Sequence, residues 1–208
     1  MKYDSIIFDL DGTLWDASYA SSIGWNNALN NLGIDKTITP EDIRSISGKP
    51  YDECIEILLP DIKVNTDSLY DELNRCEKTS IQETGGNIYH DAAYCLENLL
   101  SAYNLFIISN CEEWYLEEFL KFSDFKKYLV DWNCYGRSGN KKKRMLLDMK
   151  EKYKSHNPVY VGDTEGDYIS SKDAGIEFFH ITHGFGIFET PGLKFENLRQ
   201  LSDYLMKN

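Results

Sequence analysis

The sequence predicts an α/β fold in which a parallel sheet, covered by helices on both faces, is interrupted by a small helical bundle. From residue 91 onward, short apolar segments typical of strands alternate with segments of helical periodicity. Parallel strands need a crossover between them, so this alternation indicates a parallel sheet between two helical layers. Residues 16–85 carry helical patterns without a convincing strand. We therefore expect one domain built from residues 1–15 and 86–208, with a helical domain at 16–85 inserted into it.

The predicted strands are short runs rich in β-branched and aromatic residues. The first covers residues 5–10 and is stopped by Asp11-Gly12, a pair typical of turns. The other predicted strands are 105–109, 131–135, 158–161 and 177–181.

The predicted helices are delimited by capping residues. Thr39 has the side chain of an N-cap and Pro40 suits the first helical position, so a helix begins there and is closed by Gly48. Gly85-Gly86 ends the helical block. The remaining predicted helices are 19–32, 51–59, 66–82, 91–100, 112–122, 141–153, 165–174 and 197–206.

The composition describes a globular protein with a strong negative charge. Its formal net charge of -12 repels polyanions, which argues against nucleic acid and membrane surfaces as partners. No apolar run approaches the length needed to cross a bilayer. The five cysteines are an odd number without a CxxC pair, which favours reduced thiols. We expect a cytoplasmic protein, monomer or homodimer, that acts on a small molecule.

Polar residues collect where the predicted strands end. Asp9 and Asp11 lie at the end of the first strand, and Ser109-Asn110 end the second. A basic run at 141–144 opens a helix, and the segment at 162–167 supplies further acids. Ligands of open parallel sheets bind beyond the carboxyl ends of the strands. These groups are therefore expected to line one binding site.

Such a set of groups suits phosphoryl transfer. A carboxylate nucleophile is repelled by phosphate, and a Mg²⁺ ion held by other carboxylates offsets that repulsion. Hydroxyls, backbone N–H groups and a lysine bind the remaining phosphoryl oxygens. A second acid protonates the leaving group and later activates water. The pattern predicts Mg²⁺ as the cofactor and a small phosphorylated metabolite as the substrate.

At these motifs the chain resembles the haloacid dehalogenase superfamily, and nearly the whole chain takes part in the resemblance. The family's motifs stand here in order, as DLDGT at 9–13, LFIISN at 105–110, a lysine, and GDTEGD at 162–167. The helical block after the first motif resembles the helical C1-type cap of the phosphoglycolate-phosphatase-like branch. The resemblance implies a Rossmann-like core of three layers, joined to that cap.

The resemblance also implies roles for the acids. Asp9 would be the nucleophile and a metal ligand, and Asp11 the general acid and base, with its backbone carbonyl on the metal. Asp163 would be a direct metal ligand. Asp167 would reach the metal through water or would orient the lysine.

Further residues would bind the phosphoryl group. Ser109, the backbone of Asn110, and Thr13 fall at the family's phosphate-binding positions. Lys141 is the predicted motif lysine, because it precedes a helix as that lysine usually does, and Lys142 is the second choice.

The sequence leaves two other functions open. A sugar-phosphate mutase of the β-phosphoglucomutase type uses the same core, and a binding protein that kept the fold without the activity is the non-enzymatic rival. The resemblance separates these from a dehalogenase, because a halide leaving group needs no proton and dehalogenases lack the second acid, here Asp11.

Overall fold

A six-stranded parallel sheet forms the centre of the protein in the computed structural model, which describes residues 2–62 and 66–207. In that sheet the strand order is β5-β4-β1-β6-β7-β8, while β2 and β3 form a separate antiparallel ribbon. The strands are β1 (Ser5–Phe8), β2 (Trp15–Asp16), β3 (Asn87–Ile88), β4 (Asn104–Ser109), β5 (Asp131–Cys134), β6 (Pro158–Gly162), β7 (Glu177–Ile181) and β8 (Leu193–Phe195).

The helices cover both faces of the sheet and fill the segment between β2 and β3. They are α1 (Ser18–Asn31), α2 (Pro40–Ile46), α3 (Tyr51–Leu58), α4 (Thr66–Thr84), α5 (Ala92–Leu99), α6 (Glu113–Ser123), α7 (Tyr135–Ser138), α8 (Lys142–Lys152), α9 (Glu165–Asp173) and α10 (Leu198–Leu205), with a 3₁₀ turn at Phe125–Tyr128. This arrangement confirms the predicted α/β fold class.

The first strand lies in the middle of the sheet and pairs with β4 on one side and β6 on the other. Phe8 is in register with Ile107 and with Val161. All residues of β1 are buried, and the backbone N–H of Asp9 continues the ladder to the Val161 carbonyl at 2.8 Å. The carboxyl ends of β1, β4 and β6 therefore meet at one edge of the sheet.

Alternation along β1 divides the apolar interior into two layers. Ile6 and Phe8 belong to one cluster, which includes residues of α5, α6 and α10. Ile7 belongs to the other, together with Met145 of α8 and Ala174, the C-cap residue of α9. Successive side chains of a strand point to opposite faces, so a strand buried in the middle of a sheet contributes to both layers.

The four helices α1–α4 (residues 18–84), which we call the cap, have an apolar cluster of their own. Its members come only from this segment and include Trp25, Leu29, Ile55 and Leu73. Gly24 allows α1 and α4 to approach closely, since a Cβ there would lie 2.4 Å from the Cα of Glu77. The boundaries at 15/16 and 85/86 stay predictions.

Three short strands, β2, β3 and β8, escape the sequence-based prediction. Trp15 of β2 pairs with Ile88 of β3, joining the two points where the chain passes between sheet and cap. The expectation of no strand within 16–85 is therefore wrong at Asp16, which belongs to β2. Strand β8 extends the sheet beside β7. Strands of two or three residues are too short to show a periodicity.

Within the described residues, no helix combines the length and the apolar character that a bilayer crossing requires.

Candidate active site

Three buried carboxylates meet at the edge where β1 and β6 end. One oxygen from each of Asp9, Asp163 and Asp167 lies within 4.8 Å of the others. Asp9 follows β1, whereas Asp163 and Asp167 come from the turn after β6 and the first turn of α9. Carboxylates buried together are costly unless a cation compensates them.

Lys142 supplies one such cation. Its Nζ lies 2.8 Å from Asp9 Oδ1 and 2.5 Å from Asp167 Oδ1, and its side chain is only 2% exposed. Burial by itself would lower the pKa of this amine, but the attraction of Asp167 and Asp9 outweighs it, so the pKa is raised. Lys142 is therefore held in its charged form.

Lys141, the predicted motif lysine, does not reach this cluster, so the predicted position is wrong. It is the N-cap residue of α8, its side chain is 71% exposed, and its Nζ pairs with Glu53 Oε1 of the cap at 2.6 Å. Lys142, the second choice from the sequence, lies one residue further, at the first helical position. That single step turns the side chain from the surface toward the sheet edge.

Asp9 has one oxygen held and one oxygen free of protein donors. Oδ1 accepts from Lys142, whereas Oδ2 is buried without a hydrogen-bond partner. Burial, followed by repulsion from Asp167, raises the pKa of Asp9 well above its ordinary value, and Lys142 opposes this rise. A buried carboxylate oxygen without a protein donor is left available to a bound group, and a set of carboxylate oxygens such as this cluster is what Mg²⁺ prefers.

Asp163 is anchored by the backbone of the loop after β7. Its Oδ2 accepts from the N–H of Phe185 at 2.6 Å, and Thr13 Oγ1 donates to Oδ1 at 3.3 Å. The backbone packs tightly here, because a Cβ at Gly12, whose φ is +78°, would lie 2.2 Å from Asp163 Oδ2. Burial and repulsion from Asp167 raise the pKa of Asp163 to about 7.

Both oxygens of Asp167 are engaged by protein donors. Oδ2 completes a capping box with Thr164, accepting from its backbone N–H at 3.0 Å and its hydroxyl at 2.7 Å. Oδ1 accepts from Lys142 and from the Tyr160 hydroxyl, the latter at 3.2 Å. Burial alone would raise the pKa of Asp167, but Lys142 and the Thr164 donors lower it. Of the two predicted positions for this acid, the geometry favours the one beside the lysine.

Asp11 stands apart from the acidic cluster and faces the cap. Its Oδ1 accepts a 2.5 Å hydrogen bond from the hydroxyl of Tyr115 on α6. Burial raises the pKa of Asp11 to about 6, and the Tyr115 hydroxyl limits the rise. A carboxyl group with such a pKa exchanges protons near neutrality, which suits a general acid and base.

Ser109 ends β4 at the same edge of the sheet, and Asn110 follows it. The hydroxyl of Ser109 accepts from the N–H of Cys111 at 3.3 Å. Asn110 Nδ2 donates to the carbonyl of Gly48 in the cap at 2.8 Å. Thr13, predicted to bind substrate, donates its hydroxyl to Asp163.

A cavity extends from Asp11 and Ser109 into the cap. Its cap wall includes Lys49 and three buried or half-buried side chains that the sequence motifs do not single out: Trp25, Tyr51 and Glu77. Trp25, Tyr51 and Glu77 sit at ordinary core positions of α1, α3 and α4. Helical periodicity does not distinguish a cavity wall from the interior of a helical bundle. Tyr115 escapes prediction for the same reason.

The fold and this site together define a class of protein: an α/β enzyme scaffold with a carboxylate cluster at the carboxyl edge of its sheet and a helical cap above it. Residues 6–181 match the family described as "Haloacid dehalogenase-like hydrolase". The protein therefore belongs to the haloacid dehalogenase-like hydrolases, as the motifs predict.

Individual proteins agree with this assignment. The chain is 24% identical over 192 residues to a phosphoglycolate phosphatase of Vibrio parahaemolyticus, covering 86% of this chain and 84% of that protein. Its fold resembles a haloacid dehalogenase-like hydrolase of Streptococcus pneumoniae, with a TM-score of 0.79, 19% identity, and coverage of 98% and 99% of the two chains. A Haemophilus somnus protein, predicted to be a phosphoglycolate phosphatase, gives a TM-score of 0.85 with 17% identity, covering 100% of this chain and 98% of its own.

Proposed function

We propose that this protein is a Mg²⁺-dependent phosphatase that hydrolyses a small phosphate monoester through an aspartyl-phosphate on Asp9. The observation that carries the proposal is the asymmetry of Asp9. Lys142 holds Oδ1 at 2.8 Å, while Oδ2 is buried and has no protein donor. An oxygen so placed is oriented for attack and is not blocked by a hydrogen bond.

The residues of the cluster fit a divalent cation. Asp9, Asp163 and the backbone carbonyl of Asp11 would hold it, and Asp167 would act through water or through Lys142. Bound Mg²⁺ would neutralise the repulsion between the carboxylates and the phosphoryl oxygens.

Each protein group has a defined step in the proposed reaction. Asp9 Oδ2 attacks phosphorus, and the bond from phosphorus to the ester oxygen breaks as Asp11 gives its proton to the leaving oxygen. Asp11 then removes a proton from water, which attacks the phosphoryl group and releases inorganic phosphate from Asp9. The pKa of about 6 at Asp11 allows both roles at neutral pH.

Lys142, rather than Lys141, is the proposed motif lysine. Its buried ammonium lies against the nucleophile and balances the charge that accumulates on Asp9 and the phosphoryl group. Ser109, the backbone N–H of Asn110, and Thr13 are the proposed ligands of the phosphoryl oxygens. Thr13 would do so while its hydroxyl bridges to Asp163.

The test is phosphate release from p-nitrophenyl phosphate, with Mg²⁺ and with a chelator. We expect turnover that requires the metal and disappears in Asp9→Asn. Asp203→Asn, a change of the same kind at an exposed position of α10, is the control and should keep full activity. Normal metal-dependent turnover by Asp9→Asn would refute the nucleophile assignment. Interconversion of sugar phosphates without net phosphate release would identify a mutase instead.

We further propose a cytoplasmic location, because all five cysteines are free thiols and four of them are buried. Monomer and homodimer both stay predictions, which light scattering of the purified protein would separate.

A further inference from the structure

We propose that the cavity selects phosphate monoesters whose leaving group ends in a hydrogen-bond donor, a hydroxyl or an ammonium, and that Glu77 of the cap determines this specificity. The inference rests on the proposed phosphatase function and names its substrate class. It separates this protein from an enzyme for phosphoglycolate, whose leaving group ends in a carboxylate.

Glu77 is a carboxylate fixed inside the cap at the cavity wall. Its side chain is buried, with the residue 5% exposed. Trp25 Nε1 donates to Oε2 at 2.9 Å, and the Tyr51 hydroxyl donates to the same oxygen at 2.7 Å. Burial raises the pKa of Glu77, and the bonds from Ser21, Tyr51 and Trp25 act against the rise by favouring the ionised form. The arrangement keeps Glu77 as an acceptor.

The aromatic donors around the cavity are already committed to the protein. Besides the two that bind Glu77, the Tyr115 hydroxyl donates to Asp11 at 2.5 Å. The indole N–H of Trp114 donates to Asn74 Oδ1 at 2.7 Å. A substrate that needs donors from these side chains would have to break an existing hydrogen bond.

Asn110 supplies a further acceptor at the cavity wall that no protein donor satisfies. Its Nδ2 donates to the Gly48 carbonyl, which fixes the orientation of the amide. Its Oδ1 is then an acceptor. This oxygen is buried, in a residue that is only 9% exposed, and it has no hydrogen-bond partner. Buried polar atoms of this kind are normally satisfied, and a ligand that donates hydrogen bonds would satisfy them.

The charges of the cavity wall point the same way. Asp11, Glu77 and Glu112 are carboxyl groups, and Lys49, which is exposed, is the one cation among the described residues of the wall. A second carboxylate, brought in by the substrate, would be repelled by these groups.

The cavity offers room for a small leaving group. Its volume is about 70 Å³ for the centres of water-sized groups. One water needs about 10–15 Å³ on that scale, so the space suits a leaving group of a few non-hydrogen atoms.

Four phosphate monoesters with two-carbon leaving groups test the proposal: 2-hydroxyethyl phosphate, phosphoethanolamine, ethyl phosphate and phosphoglycolate. They differ in the terminal group, which is a hydroxyl, an ammonium, a methyl and a carboxylate. We expect kcat/KM for at least one of the two donor-bearing esters to exceed that for both others by about tenfold or more, because a site built for hydrogen bonds rejects analogues without them. A kcat/KM for phosphoglycolate or ethyl phosphate equal to the best donor-bearing ester would overturn the proposal.

Glu77→Gln tests the residue. The amide keeps the shape and removes the charge, so the preference for the donor-bearing ester over phosphoglycolate should fall by about tenfold, mainly through KM. Glu83→Gln, an exposed position on the same helix, is the matched control and should keep the wild-type ranking. An unchanged ranking in folded Glu77→Gln would refute the role of Glu77. If that variant does not fold, the order of kcat/KM among the four esters in the wild-type protein still tests the proposed specificity of the cavity.

The two proposals fail in different ways. If neither the four esters nor p-nitrophenyl phosphate releases phosphate with Mg²⁺, the phosphatase function is wrong and the specificity falls with it. If p-nitrophenyl phosphate or any of the four is hydrolysed and no donor-bearing ester is preferred, only the specificity is wrong.

Discussion

The sheet edge and the cap each bury carboxylates, but they compensate them differently. At the sheet edge, Asp9 and Asp167 share an ammonium from Lys142, and Asp9 keeps a free buried oxygen. In the cap, Glu77 is held by three neutral donors: the indole of Trp25, the phenol of Tyr51 and the hydroxyl of Ser21. A carboxylate facing full charges is set up to bind a cation and react, whereas one held by neutral donors is set up to recognise a ligand. This difference supports our proposal that the sheet edge carries the chemistry and the cap selects the substrate.

Removal of the shared ammonium at the sheet edge should lower the free energy of unfolding more than the loss of one neutral donor in the cap does. Lys142→Met leaves the two buried carboxylates without their partner, and loss of one partner from a buried pair costs about 3–5 kcal/mol of unfolding free energy. Denaturant unfolding in chelator measures the loss. Turnover should disappear in the same variant.

Lys141→Met is the matched control, one residue away. The side chain is exposed and its pair with Glu53 crosses from the core to the cap at the surface. Exposed pairs contribute about 0–1 kcal/mol, so stability and activity should change little. Equal effects of the two substitutions would refute the assignment of Lys142.

Magnesium should stabilise the sheet edge without the help of substrate. At a concentration about 100 times its dissociation constant, a bound ion adds about 2.7 kcal/mol. For a chain of this size, that corresponds to a rise in Tm of roughly 5–10 °C, measurable by thermal unfolding with and without chelator.

Asp163→Asn should remove most of that rise, because Asp163 belongs to the acidic cluster and its burial is complete. Asp203→Asn, exposed on α10, should keep it. A rise of the same size in Asp163→Asn would place the ion elsewhere.

The metal-free sheet edge should also lose stability as the pH rises. The pKa of Asp163 is about 7 in the folded chain, above its ordinary value, so the folded state binds a proton that the unfolded state has already lost. Its contribution is fully present below the unfolded pKa of about 4 and is lost as the pH rises through about 7. The slope from one such group is at most about 1.4 kcal/mol per pH unit.

Denaturant unfolding in chelator, repeated at several values between pH 5 and pH 8, measures this slope. Asp163→Asn should reduce it, while Asp9 and Asp11, whose pKa values are also raised, keep part of the slope. Saturating Mg²⁺ should reverse it, because the ion binds the ionised carboxylates. A wild-type slope that Asp163→Asn leaves unchanged would mean that another group carries the pH dependence.

The two regions also differ in how far the sequence predicts them. The meeting of Asp9 with Asp163 and Asp167 follows from topology, since Asp9 and Asp163 directly follow neighbouring parallel strands and Asp167 lies in the first turn of the next helix. Most predicted elements agree with the structure within about two residues, and segment 177–181 agrees at both ends. Strand alternation and helix caps are local signals, and they carry this part of the fold.

The parts that the sequence does not predict depend on packing between distant segments. Four consecutive cations at 141–144 look alike in the sequence, and only the start of α8 at Lys142 decides which one turns inward. Glu77 and Trp25 meet because α1 and α4 pack closely at Gly24, over a separation of 52 residues. No periodicity encodes such a meeting.

The smallest of these effects concerns the cap. Tyr51→Phe removes one donor from Glu77 and leaves the indole of Trp25 in place. Loss of a hydrogen bond to a charged group costs about 1.5–3 kcal/mol, less than the loss of the ammonium at the sheet edge. Tyr19→Phe is the control: it removes the same hydroxyl from an exposed ring on α1 of the cap, without touching Glu77.

Activity distinguishes the two regions more sharply than stability does. Tyr51→Phe should weaken the hold on Glu77 and change KM for the leaving group, while kcat for p-nitrophenyl phosphate stays within about twofold, because the groups around Asp9 are unaffected. A fall in kcat as large as that expected for Lys142→Met would mean that the cap takes part in the chemical step. The cap would then contribute to the reaction itself as well as to substrate specificity.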